Sequence, residues 1–304
     1  MVTLSPGLRF VDVRFQGVPG VIATAVLEGP TGIALIDPGP SSCLPALEAA
    51  LADGGRALEN VQAILLTHIH LDHAGATGTI LRRVPGVRVY VHERGARHLI
   101  DPEKLLQSAT QLYGDQMDVL WGAVEAVPAA AVRPLAGGET LDVSGRALNV
   151  AYTPGHAQHH VAYFDAASRV AFVGDVGGCR TAGMSTVMPP TPPPDIDLEA
   201  WRESVTRILA WQPEGLFLTH FAYHSSPAAH LALMLDRLER LAELARQLLH
   251  DVTVPDEERE TRFRDDARRL LRRELSEDDL RRLELAVPLE MCWRGLARCW
   301  RKKG

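Results

Sequence analysis

The densest chemistry in the chain lies in Thr67-His68-Ile69-His70-Leu71-Asp72-His73. Three imidazoles and a carboxylate between positions 68 and 73 form a concentrated set of borderline metal donors. In an extended segment residues 68 and 70 point to the same side, so both rings can reach one cation. As the chain turns into a helix, Asp72 and His73 swing round and offer a second, adjacent set. A lone histidine would read as a satisfied core group. This pattern, directly after an apolar run, reads as a metal site.

The elements that must position these residues follow from periodicity and turn chemistry. Residues 61–66 are an apolar strand running straight into Thr67, and 75–83 are helical. Upstream, 21–27 and 33–36 form a hairpin around Gly29-Pro30-Thr31-Gly32, followed by a helix over 44–52. A strand over 87–91 precedes residues 97–127, where leucine, alanine and methionine recur at helical spacing and predict a helical insertion. A second strand-rich half covers 148–152, 161–164 and 170–173, then a stiff polyproline stretch over 189–194. A helix over 198–210 and a strand over 215–219 complete this half, and everything from Pro227 onward reads as helix with a leucine stripe. The organisation expected is residues 1–226 as one domain and 227–304 as an all-helical second domain.

Further motifs follow in order: Leu35-Ile36-Asp37-Pro38-Gly39, Thr153-Pro154-Gly155-His156, Phe172-Val173-Gly174-Asp175 and Leu216-Phe217-Leu218-Thr219-His220. With H-x-H-x-D-H they resemble the metallo-β-lactamase superfamily over roughly residues 1–225, and within it the glyoxalase II-like branch most. The resemblance implies a mixed α/β (α+β) fold, the four-layer αββα sandwich, here with a helical insertion and a helical C-terminal domain. It assigns His68, His70 and His156 to one metal and Asp72, His73 and His220 to another, with Asp175 between them and Asp37 as a structural aspartate. Two divalent ions are implied, zinc first, with iron or manganese as alternatives. Cations ~3.5–4 Å apart lower the pKa of a shared water and polarise a carbonyl. The expected enzyme is therefore a dinuclear hydrolase whose metal-bound hydroxide attacks a small thioester, ester, lactone or β-lactam. Asp72 would also orient the hydroxide or carry a proton.

Other residues carry weaker expectations. His160 is a candidate support behind the ligands. The stretch His156-Ala157-Gln158-His159-His160 replaces a Thr and a Gly usual in relatives. His224 reads as a surface residue and Cys179 as a buried inert thiol; Tyr113 and Trp121 read as core packing first and as lining of a substrate pocket second. An iron-dependent oxidoreductase of the persulfide dioxygenase type is the alternative enzyme class, disfavoured by the full ligand set. A nuclease comes after it.

Composition sets the outer limits. The chain has 304 residues, 32 Lys and Arg, 38 Asp and Glu, and a formal charge of −6. That mild acidity speaks against nucleic acid as a partner. Residues 251–304 hold 14 basic and 13 acidic side chains, leaving 18 basic and 25 acidic in the first 250. Two divalent ions would offset part of that excess. The cysteines at 43, 179, 292 and 299 have no framework spacing, which predicts reduced thiols. Without an N-terminal targeting pattern or an apolar run of ~20 residues, a cytoplasmic protein with no membrane span is expected. The expected partner is a small-molecule substrate. The charged helical tail, with its leucine stripes, is read as packing on the first domain or as a homodimer interface, and further as a cover over the metal cleft.

Overall fold

The structure is a computed structural model describing residues 1–184, 186–251 and 253–303. Two sheets carry it. The first has seven strands in chain order: β1 (Val2–Ser5), β2 (Leu8–Asp12), β3 (Ala23–Gly29), β4 (Gly32–Ile36), β5 (Val61–Leu65), β6 (Arg88–His92) and β7 (Val132–Leu135). It is antiparallel from β1 to β4 and parallel from β4 to β7. The second has six: β8 (Thr140–Val143), β9 (Arg146–Tyr152), β10 (Val161–Asp165), β11 (Val170–Phe172), β12 (Gly215–Leu218) and β13 (Ala222–His224). There only β11 and β12 run parallel.

Strand alternation explains the layering. In β4, Ala34 and Ile36 face the second sheet, while Ile33 and Leu35 face outward. In β10, Val161 and Tyr163 face inward, and Ala162 and Phe164 outward. Both faces of these strands are buried, so they read as apolar runs rather than polar–apolar alternation. The outer face of the first sheet is covered by α1 (Leu44–Asp53), α2 (Leu71–Ala74), α3 (Thr77–Arg83), α4 (Glu93–Ile100), α5 (Glu103–Tyr113) and α6 (Met117–Leu120). Over the second sheet lie α7 (Leu198–Ala210), α8 (Pro227–His250), α9 (Asp256–Leu271), α10 (Glu277–Ala286) and α11 (Leu289–Arg301). The result is the αββα order that the motifs implied.

Differences from the sequence reading are local. Strands β1, β2, β7, β8 and β13 are only three to five residues long and did not announce themselves. The predicted insertion breaks into α5 and α6, preceded by α4, and then runs irregularly until Ala129. Beyond position 226, Leu231, Leu238, Phe263 and Trp293 share one apolar cluster with Trp201 of α7 and Leu216 of β12. Among the described residues no helix is long and apolar enough to cross a membrane.

Because α8–α11 complete the core of the second sheet, thermal unfolding should give one transition for the whole chain. Leu238→Ala, at a buried site, should lower the unfolding free energy by about 2–5 kcal/mol. Calorimetry showing two separate transitions, with only the later residues affected, would contradict this packing.

Candidate metal centre

Every motif singled out in the sequence reaches one end of the sandwich. The parallel strands β4 and β5 deliver Asp37 and Thr67-His68 at their carboxyl ends. Parallel β11 and β12 deliver Asp175 and Thr219-His220, and the turn after β9 delivers His156. The sheets are tied there by backbone bonds: Val161 N–H donates to the Thr67 carbonyl and Ala23 N–H to that of Thr219, both at 2.8 Å.

Asp37 holds the floor. It is fully buried, with φ 51°, a left-handed conformation that aspartate tolerates better than most residues. Its carboxylate accepts from Thr67 N at 2.8 Å, Thr67 Oγ1 at 2.7 Å, His73 Nδ1 at 2.8 Å and Thr219 Oγ1 at 2.7 Å. These bonds also decide which way the rings present their lone pairs. His73 donates from Nδ1, so Nε2 is left as an acceptor. Thr67 Oγ1 has given its proton to Asp37 and accepts from His68 Nδ1 at 3.1 Å. His156 Nδ1 donates to Pro190 O, and His220 Nδ1 to Val21 O, each at 2.9 Å. Four histidines therefore aim an Nε2 lone pair into the same space.

Two donor sets result. In the first, His70 Nδ1 lies 3.0 Å from His68 Nε2 and 2.9 Å from His156 Nε2, with Asp175 Oδ2 3.4 Å from the latter. A proton on His70 Nδ1 could serve only one of the two neighbours; a cation serves all three. In the second, His220 Nε2 lies 3.2 Å from Asp72 Oδ2, and His73 Nε2 lies 3.7 Å from that oxygen and 3.2 Å from Asp175 Oδ1. His73 Nε2, His220 Nε2 and Asp175 Oδ1 are buried without a hydrogen-bond partner. Such buried polar atoms are costly unless something pairs with them. Three converging orphans of this chemistry fit a divalent cation, and Asp175 offers one oxygen to each set.

Electrostatics agree. Burial, then the neighbouring imidazoles, push His68 well below the usual histidine range. Burial and His156 take His70 down to about 3. Burial opposes ionisation of Asp72, yet His73 and His220 outweigh it and draw its pKa down to about 2. Burial likewise lowers His73, but Asp175, Asp72 and Asp37 together raise it well above normal. The carboxylates thus favour positive charge at the second set, while burial and the imidazoles of the first disfavour a proton there.

Asp72 opens onto a cavity of about 300 Å3, whose floor includes His70 and Asp175. His160 stacks behind His68 with ring centroids 5.2 Å apart and pairs with Thr153 Oγ1 at 2.8 Å. Gly174 keeps this corner tight: at φ 45°, a Cβ there would lie 2.5 Å from Thr67 Oγ1 and 2.7 Å from His160 Nε2. His224 lies apart from the cluster and receives the Ser226 N–H. Cys179 is fully buried, with its sulfur near Asp175 and His220. Tyr113 and Trp121, expected first as core packing, also line the cavity. Missed at the sequence level were Thr67 and Thr219, although each directly precedes a candidate histidine at a strand end, a signal that was present. The carbonyls of Val21 and Pro190 left no such mark.

Asp37→Ala would strand four donors. It should lower the unfolding free energy by about 3 kcal/mol or more in chemical denaturation. A loss below about 1 kcal/mol would mean that this carboxylate does not organise the floor.

Comparison with known proteins gives the family. Residues 17–221 match the model of the metallo-beta-lactamase superfamily. A metallo-beta-lactamase fold-containing protein of Sulfurisphaera tokodaii is 30% identical over 77% of this chain and 86% of its own length. A hydroxyacylglutathione hydrolase of Synechococcus is 33% identical over 48% of this chain and 45% of its own. Among solved structures, a metallo-beta-lactamase family protein of Thermus thermophilus superposes with a TM-score of 0.70 at 23% identity, covering 99% of this chain and 95% of that one. The chain belongs to the metallo-beta-lactamase superfamily.

Proposed function

We propose that the protein is a dinuclear metal-dependent hydrolase of a small thioester, ester, lactone or β-lactam. The observation that carries this reading is the convergence of His73 Nε2, His220 Nε2 and Asp175 Oδ1, buried and unpaired, beside a second imidazole set that shares Asp175. His68, His70 and His156 would hold one cation, and Asp72, His73 and His220 the other, with Asp175 between them. Nitrogen and oxygen donors of this kind suit zinc, iron and manganese, and zinc is the ion we propose. Bound there, the cations supply Lewis acidity, polarising a carbonyl oxygen and lowering the pKa of water.

The chain's own groups do the rest. Asp37 fixes the tautomer and orientation of His73 through Nδ1, and the Pro190 and Val21 carbonyls do the same for His156 and His220. His160 supports the ring of His68 from behind. Asp72 faces the cavity, so its carboxylate can orient an attacking water and accept a proton from it. A cavity of about 300 Å3 is of the size that takes a small molecule, and the four cysteines, all free and buried, support a reducing, cytoplasmic setting.

Metal analysis and turnover of His68→Ala and His156→Ala test this. Each variant should lose bound metal and fall at least about 100-fold in kcat/KM, beyond the 10–100-fold typical of groups behind the ligands. Full metal content with full activity would overturn the reading. Oxygen uptake with a persulfide, in the absence of any ester or thioester hydrolysis, would replace it with the oxidative one.

A further inference from the structure

The cavity over the two donor sets is walled by parts of the chain far apart in sequence. One wall is α5, which presents Leu105, Ala109 and Leu112 along one face. The opposite wall is the proline stretch together with Val287 and Met291, at the α10–α11 junction. One end of the cavity is apolar. There Tyr113 and Trp121 meet edge to face at 5.1 Å, with Trp121 stacked on Phe15. Toward the start of α5 the lining turns polar. Lys104 lies roughly 12 Å along the helix from Leu112, and with it come His98, Asp195 and His159. The His159 ring is 5.7 Å from that of His70, and its Nδ1 is buried without a partner. Next to it, the Gln158 carbonyl accepts from Tyr152 at 2.9 Å. His70, Asp72 and Asp175 of the donor sets line the same cavity.

We propose that this cavity selects amphipathic carbonyl substrates, seating an unbranched apolar acyl chain among Leu112, Tyr113, Trp121 and Met291 and a polar leaving group beside Lys104 and His159. This deepens, and rests on, the hydrolase reading above. The orientation follows from charge. A departing thiolate or alkoxide gains negative charge, which the ammonium of Lys104 favours, whereas Leu112, Tyr113, Trp121 and Met291 offer it no cationic side chain. Hydrolysis breaks the acyl–heteroatom bond, water supplies the hydroxyl of the acid, and its remaining proton goes to the departing heteroatom.

The test uses the metal-loaded full chain and 2-hydroxyethyl thioesters with acetyl to octanoyl groups, together with ketone analogues in which a methylene replaces the sulfur. Calorimetric Kd values for the ketones should fall about fourfold per buried methylene until the cavity is full. The kcat/KM series should rise in parallel. Ala109→Phe, and separately Leu112→Trp in case the first fails to fold, should move the plateau to chains at least two carbons shorter. Lys104→Ala should shift the preference between 2-hydroxyethyl and ethyl leaving groups. Length-independent binding, or a rise with leaving-group length instead of acyl length, overturns the proposal. Length-dependent ketone binding without turnover of any thioester would uphold the acyl site and count against the hydrolase reading alone.

Discussion

Burying a carboxylate costs several kcal/mol unless its lone pairs find donors, and Asp37 meets that condition by drawing on three separate parts of the chain. Its donors come from the end of β5, from His73 beyond it, and from the end of β12 in the other sheet. Since the penalty falls on any arrangement that loses one of them, the carboxylate fixes how these elements meet. The orientation of His73, the proton on Thr67 and hence the tautomer of His68 all follow from it. The candidate centre depends on a group that lies behind it rather than within it.

The sandwich supplies what this knot cannot. Inner and outer faces of the strands are both apolar, so the sheets stack and carry helices on each outer side. Their parallel pairs end at the same edge, and five separated segments converge there on two donor sets. Irregular backbone is tolerated at that edge because local carbonyls, those of Val21 and Pro190, are used to orient the imidazoles. The later helices take part in this architecture directly. They complete the core of the second sheet, and their Val287–Met291 stretch closes one wall of the cavity.

The legible part of the site was the part written in short runs of distinctive residue types. His68, His70, Asp72 and His73 are neighbours in the chain, and His156, Asp175 and His220 each follow an apolar strand, so residue chemistry and local pattern pointed the same way. The buried central strands were legible for a similar reason, since burial on both faces leaves a continuous apolar run. The edge strands β1, β8 and β13 were not, because an edge pairs on one side and needs little apolar sequence. Tyr113 and Trp121 were read first as core, and they are indeed packed, but their other face borders the cavity; hydrophobicity does not distinguish a wall from a core. The roles of Val21 and Pro190 rest on backbone carbonyls, which carry no side-chain signature. Contact of the final helices with the cleft depends on long-range packing that no local period encodes.

We propose that the two donor sets hold two divalent cations, with Asp175 between them. Anomalous diffraction from crystals of the metal-loaded protein tests it most directly. Two peaks roughly 3.5–4 Å apart are expected, one among His68, His70 and His156 and one among Asp72, His73 and His220, with Asp175 between them. No peak at these residues, or a single ion bound elsewhere on the chain, would contradict it.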